Sequence, residues 1–143
     1  PLRLHTDQSE SDIEGRVMEE LGRVELRAAA DQTPASLSGG QVKRVALARA
    51  IVRKPQYLFY DEPSSGLDPE TSSVIDALIE QLSRTLCRMG VMVTHDMHSV
   101  LSIADQVGFL HEGQMRFVGT VEELRACNDP VLCDFLEANA YQL

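Results

Sequence analysis

Residues 57–69 read Tyr57-Leu58-Phe59-Tyr60-Asp61-Glu62-Pro63-Ser64-Ser65-Gly66-Leu67-Asp68-Pro69. The first four are apolar or aromatic without a break, the pattern of a strand buried on both faces of a sheet. Two adjacent carboxylates end that run, at the carboxyl edge where α/β sheets hold their ligands. Pro69 suits the first position of a helix, in which Val74, Leu78, Leu82 and Leu86 recur every fourth residue. Val91-Met92-Val93-Thr94 reads as a second buried strand, followed by a helix around residues 97–104. This alternation predicts an α/β fold with a parallel central sheet.

Upstream, Ser9 or Ser11 can cap a helix in which Ile13, Val17, Leu21 and Val24 recur at helical spacing, after a polar opening. Asp31-Gln32-Thr33-Pro34 interrupts the chain before Leu37-Ser38-Gly39-Gly40. From Gln41 to about Arg53 the residues Val42, Val45, Ala46 and Ile51 describe another helix, which ends before Pro55. Downstream, Val107–Leu110 and Met115–Val118 flank Glu112-Gly113 as a hairpin, and two short helices follow near 120–127 and 131–138.

Composition narrows the function classes. The 143 residues carry a net charge of −9, yet Lys43, Arg44, Arg49, Arg53 and Lys54 fall together within residues 38–54, without an acidic neighbour. An acidic chain with one short basic helix suits a single phosphorylated ligand better than nucleic acid, so no nucleic-acid partner is expected. No uncharged apolar stretch reaches the roughly 18–20 residues of a membrane span. Cys87, Cys127 and Cys133 form no C-x-x-C pair and lie in apolar stretches, where free thiols act as small buried hydrophobes in a reducing compartment.

Three short stretches carry the chemistry. Ser38-Gly39-Gly40-Gln41 opens the basic helix with a hydroxyl, two glycines that admit close approach, and first-turn amides that have no acceptor within the helix. That combination suits a phosphate, and equally suits a plain Ser cap with a flexible entry. Asp61 and Glu62 suit Mg²⁺ support and deprotonation of water, or an ordinary acidic loop. His95 ends the second strand, where a histidine can be catalytic or structural, and Asp68 lies in a turn at a helix start.

Leu37 to Arg49, Tyr60-Asp61-Glu62-Pro63, Ser65 to Asp68 and Val93-Thr94-His95-Asp96 occur in this order and spacing. Together they resemble the signature motif, Walker B, D-loop and H-loop of ABC-type ATPases, and the resemblance covers nearly the whole chain. It implies ATP and Mg²⁺ as ligands. Asp61 resembles the Walker B carboxylate that supports Mg²⁺, Glu62 the general base, and His95 the switch histidine at the γ-phosphate. Ser38, Gly39, Gly40 and Gln41 match the signature that serves a partner subunit's ATP, and Asp68 matches the D-loop along that dimer interface.

The resemblance further implies a P-loop NTPase-like α/β core, residues 55–143, joined to the remainder of a helical subdomain and the signature helix, residues 1–54. No G-x-x-x-x-G-K-[ST] occurs, and neither of the two lysines, Lys43 and Lys54, follows a glycine. The Walker A portion is thus expected to be missing, the chain to be the C-terminal part of an ATPase, and these residues alone to be inactive.

Pro1-Leu2-Arg3-Leu4-His5-Thr6, Ala28-Ala29-Ala30-Asp31, Ser102-Ile103-Ala104-Asp105 and the Gly-Thr-x-Glu-Glu stretch at 119–123 resemble Mla-type ATPases. Those partner a second ATPase subunit, membrane permeases and MCE-domain proteins to move phospholipids, at the cytoplasmic face of the inner membrane. The alternatives are the same ATPase with another cargo (a polar amino acid or an ion), a non-transport ABC protein, or a non-hydrolytic interaction module.

Overall fold

The opening is less irregular than its composition implies. In the computed structural model, which describes residues 1–87 and 89–139, Leu2–His5 forms a single helical turn, α1, and Leu2 packs in a small apolar cluster with Ile13 and Val52. Helix α2, Glu10–Arg23, is capped by Ser9 rather than Ser11: the Ser9 hydroxyl accepts from the Asp12 amide. Two compact units emerge, Pro1–Val93 and a second that begins at Thr94.

In α2 the apolar stripe is only partly used. Ile13 and Val24 are buried, while Val17 faces solvent. The most enclosed side chain of the helix is a charged one, Glu20, 1% exposed. Its oxygens lie 2.6 Å from Arg16 Nη2 and 3.1 Å from Arg23 Nε. The two arginines thus flank this carboxylate as its ion-pair partners.

Two short 3₁₀ turns, Arg27–Ala29 and Pro34–Ser36, lead into α3, Gly39–Ile51. The face that α3 buries is Gly40, Leu47, Ala48 and Ile51; Val42 and Ala46 are exposed. A helix that is apolar on most sides gives no unique stripe, so its buried side is chosen by its neighbours, α2 and α4.

Strand β1, Tyr57–Asp61, pairs in parallel with β2, Met89–Val93, with Tyr57 opposite Met89 and Asp61 opposite Val93. Between them runs α4, Pro69–Leu86, which packs against α3 and β2. Leu58 and Tyr60 are buried on one face of β1, and the Tyr60 hydroxyl lies 3.4 Å from Ser83 Oγ on α4. Phe59 on the other face is 76% exposed. The unbroken apolar run therefore does not mean burial on both faces among the described residues: α4 covers one side only. In α4 itself Leu78 and Leu82 are buried as their spacing predicts, joined by Ile75 and Ile79, while Val74 is largely open.

The second unit opens with α5, Met97–Ile103, capped by Asp96, whose side chain accepts from the His98 amide. The hairpin follows as β3, Val107–His111, and β4, Gln114–Gly119, joined through Glu112 and Gly113 at φ 48° and 75°. Two successive positive φ values are what a tight hairpin of the correct twist needs. Helices α6, Val121–Arg125, and α7, Pro130–Ala138, complete the unit. Met97, Leu124, Leu132 and Leu136 form its core, with Phe109 against Phe135 at a ring separation of 5.3 Å. The three cysteines are free and half-buried, and Cys133 Sγ donates to the Cys127 carbonyl at 3.7 Å. Among the described residues no helix is long and apolar enough to cross a membrane.

Candidate functional site

The start of α3 is built by its own residues. Ser38 Oγ accepts from the Gln41 amide at 3.3 Å, and Gln41 Oε1 accepts from the Ser38 amide at 2.9 Å. This reciprocal box fixes the entry angle of the helix. It leaves the Ser38 hydroxyl hydrogen able to donate, beside the Gly39 and Gly40 amides of the first turn, which lack an intrahelical acceptor. Ser38 and Gly39 face solvent.

Gly40 is buried, and the approach it permits is to another helix. A Cβ on Gly40 would stand 2.7 Å from Thr71 Cγ2, and one on Gly39 would stand 3.4 Å from Leu67 Cδ2. The second glycine thus sets how closely α3 lies on the first turn of α4. Asp68 caps that turn, accepting from the Thr71 amide at 3.0 Å and from Thr71 Oγ1 at 2.6 Å. The Thr71 hydroxyl, and next its amide, hold the Asp68 carboxyl below the usual carboxylate range.

Asp61 ends β1 with its side chain in solvent, and Glu62 follows half-buried. Glu62 adopts φ 46°, the left-handed region, which costs a residue with a side chain roughly 1–2 kcal/mol. Its peptide is held on both sides. The Glu62 amide donates to the Val93 carbonyl at 2.9 Å. Its carbonyl accepts from the Ser65 amide at 3.3 Å and from Lys43 Nζ at 3.3 Å. The turn closes through Gly66 at φ 80° before Asp68.

One unit therefore gathers the entry of α3, the carboxylates at the end of β1 and the cap of α4. Ser38, Gly39, Gly40, Gln41, Asp61, Glu62 and Asp68 all belong to it. His95, exposed, lies in the second unit just past β2. Two residues of this arrangement carry no role in the sequence reading. Lys43 reads only as one of five basic residues within 38–54, and Thr71 is not singled out at all; a contact across sequence has no local signal.

The family model described as ABC transporter matches residues 4–65. Over 140 residues the chain is 41% identical to the intermembrane phospholipid transport system ATP-binding protein MlaF of Escherichia coli K12, covering 98% of this chain and 52% of that protein. The chain belongs to the ABC transporter ATP-binding family. It spans about half the length of the curated relatives it matches. The methionine import ATP-binding protein MetN 1 of Pseudomonas fluorescens is 40% identical over 124 residues, 87% of this chain and 37% of that one. Among solved structures of ABC ATP-binding chains, cbiO1 of Clostridium perfringens, part of the ABC transporter complex cbiONQ, superposes with a TM-score of 0.79. It is 31% identical, covering 94% of this chain and 53% of that chain. The α/β architecture with a parallel strand pair is the one this family's likeness implies.

Proposed function

We propose that this chain supplies the signature helix and the Walker B, D-loop and H-loop residues of an ATP-hydrolysing subunit that energises phospholipid transport. The observation that carries the reading is Glu62: an acidic side chain directly after a parallel strand, held in a left-handed conformation by bonds to Val93, Ser65 and Lys43. Backbone strain of that kind, over-determined by its surroundings, gathers at functional sites. The cargo assignment draws support from the identity with MlaF across nearly the whole chain.

In this mechanism Glu62 accepts a proton from the water that attacks the terminal phosphoryl group, and His95 donates a hydrogen bond to that group. Ser38 and the Gly39 and Gly40 amides present donors to the nucleotide of a second ATPase subunit, and Asp68 lies along the shared interface. Asp61 suits Mg²⁺ in its donor chemistry. Among the described residues no group of three or more His, Cys, Asp or Glu side chains is placed to hold a metal. Mg²⁺ typically takes one or two carboxylates and fills its remaining positions with water and phosphate. Bound there, it would offset charge on the phosphates. Phosphoryl transfer asks little more of protein than positioning and charge compensation. The assembly then comprises two such subunits against membrane permeases, with an MCE-domain protein, at the cytoplasmic face of the inner membrane. Residues 1–54 serve in it as helical subdomain and signature helix, and residues 55–143 as catalytic core.

Glu62→Gln tests the reading in a protein that carries a P-loop ahead of these residues. Turnover should fall on the order of 10²–10⁴-fold while ATP binding survives. Near-parental turnover removes Glu62 from the mechanism. The likeness to MetN 1 favours one alternative, the same ATPase serving an amino acid importer. ATP-dependent phospholipid transfer by the reconstituted transporter, measured beside methionine uptake, decides between them.

A further inference from the structure

Lys43 lies in the second turn of α3, half-buried, and its ammonium donates to the Glu62 carbonyl at 3.3 Å. That carbonyl also accepts from the Ser65 amide, while the Glu62 amide is fixed on the Val93 carbonyl. With φ already at 46°, the direction of the Glu62 side chain depends on how its peptide is pinned. Two of the three pins come from the loop and strand beside it. The third comes from α3, whose entry at Ser38 carries the signature.

We propose that Lys43 is a positioning residue for Glu62, coupling the seating of the signature helix to the aim of the proton acceptor. This rests on the reading of Glu62 given above. The contact gives the helix a direct handle on the carboxylate's backbone: a shift of α3 along or away from the Glu62 loop lengthens the Lys43 bond and loosens the left-handed turn. An ammonium suits the task because it carries three donors and a full charge, and a charged donor holds a carbonyl more firmly than a neutral one. Lys43 is half-buried, so methionine, an unbranched apolar chain of similar length, removes the donor at the least cost in volume.

Two measurements on Lys43→Met and Lys43→Arg test it. In the 143-residue chain, amide exchange at Glu62 and Ser65 should quicken in Lys43→Met by on the order of tenfold, the loss of about one net hydrogen bond. Exchange in the core of α4 should not change, and Lys43→Arg should restore the slow rates. In the ATP-hydrolysing assembly, Lys43→Met should lower kcat on the order of tenfold with KM for ATP unchanged, again rescued by arginine. Unchanged exchange at Glu62, or an equal loss in both variants, overturns the proposal. Glu62→Gln run alongside separates the two ideas. If its turnover survives, the proton-acceptor reading falls and this proposal with it. If Glu62→Gln is inactive but Lys43→Met has parental kcat, only the Lys43 proposal falls.

Discussion

Gly40→Ala places a methyl group 2.7 Å from Thr71 Cγ2, closer than any ordinary carbon–carbon contact. Alanine in place of glycine favours the helix by about 0.5–1 kcal/mol. Against that stands overpacking, which costs about 1–3 kcal/mol in a closed contact. Thr71 cannot simply turn aside, because its hydroxyl is bonded to Asp68 at 2.6 Å. Rotating it away forfeits that bond, about 0.5–1.5 kcal/mol. The net expectation is a loss of about 1–2 kcal/mol. In urea that moves the unfolding midpoint down by roughly 0.5–1 M at a slope of about 2 kcal/mol per molar. Thr71→Ser removes the methyl and keeps the hydroxyl, so the double variant Gly40→Ala/Thr71→Ser should recover most of the loss. A Gly40→Ala chain as stable as the parent, or a double variant no better than the single, would refute the reading that Gly40 exists for helix contact.

Ser38→Ala removes one half of the α3 capping box and should destabilise the first unit by about 1 kcal/mol, read by the same urea titration. Leu82→Ala, deep against α4's neighbours, should cost about 2–5 kcal/mol with little change in slope. Hydrogen bonds from Arg116, and next from the Leu132 amide, hold the Asp129 carboxyl below its ordinary range. Its contribution is therefore present above the unfolded carboxylate value of about 4 and fades as pH falls through the lower folded value. Asp129→Asn should flatten that part of the stability curve, measured by chemical denaturation at successive pH values. Without a Gly-rich loop ending in Lys, these 143 residues alone should not bind Mg-ATP in the micromolar range, and isothermal titration checks it.

The elements that sequence alone makes legible are those with a local cause. Pro69 after Asp68, the period of Leu78 and Leu82, and the Glu112-Gly113 turn each act through neighbours in the chain, and the structure has α4 and the hairpin where those cues lie. The family too is legible, because four motifs stand in fixed order. What stays hidden is set by distant neighbours. The apolar face of α3 depends on which helices lie beside it, so Val42 and Ala46 read as core and are exposed. Tyr57 to Tyr60 read as buried on both sides, since periodicity reports polarity and not what covers a face. At the candidate site the residue types were readable, but not that Gly40 answers to Thr71 or that Lys43 reaches the Glu62 peptide.

Glu20 constrains how this sequence can drift over generations. A carboxylate enclosed beside Arg16 and Arg23 and paired with both ties three codons together. Losing an arginine leaves the acid with one partner, and losing the acid leaves Arg16 and Arg23 to share the more exposed Glu19. Fully breaking a buried pair costs about 3–5 kcal/mol, a large part of the stability of a small domain, whereas exchanging all members for apolar side chains of similar volume can be neutral. Single steps are thus selected against and the concerted one is open. Across descendants of this chain the three positions should change as a block, with intermediates appearing only where stability has first been gained elsewhere.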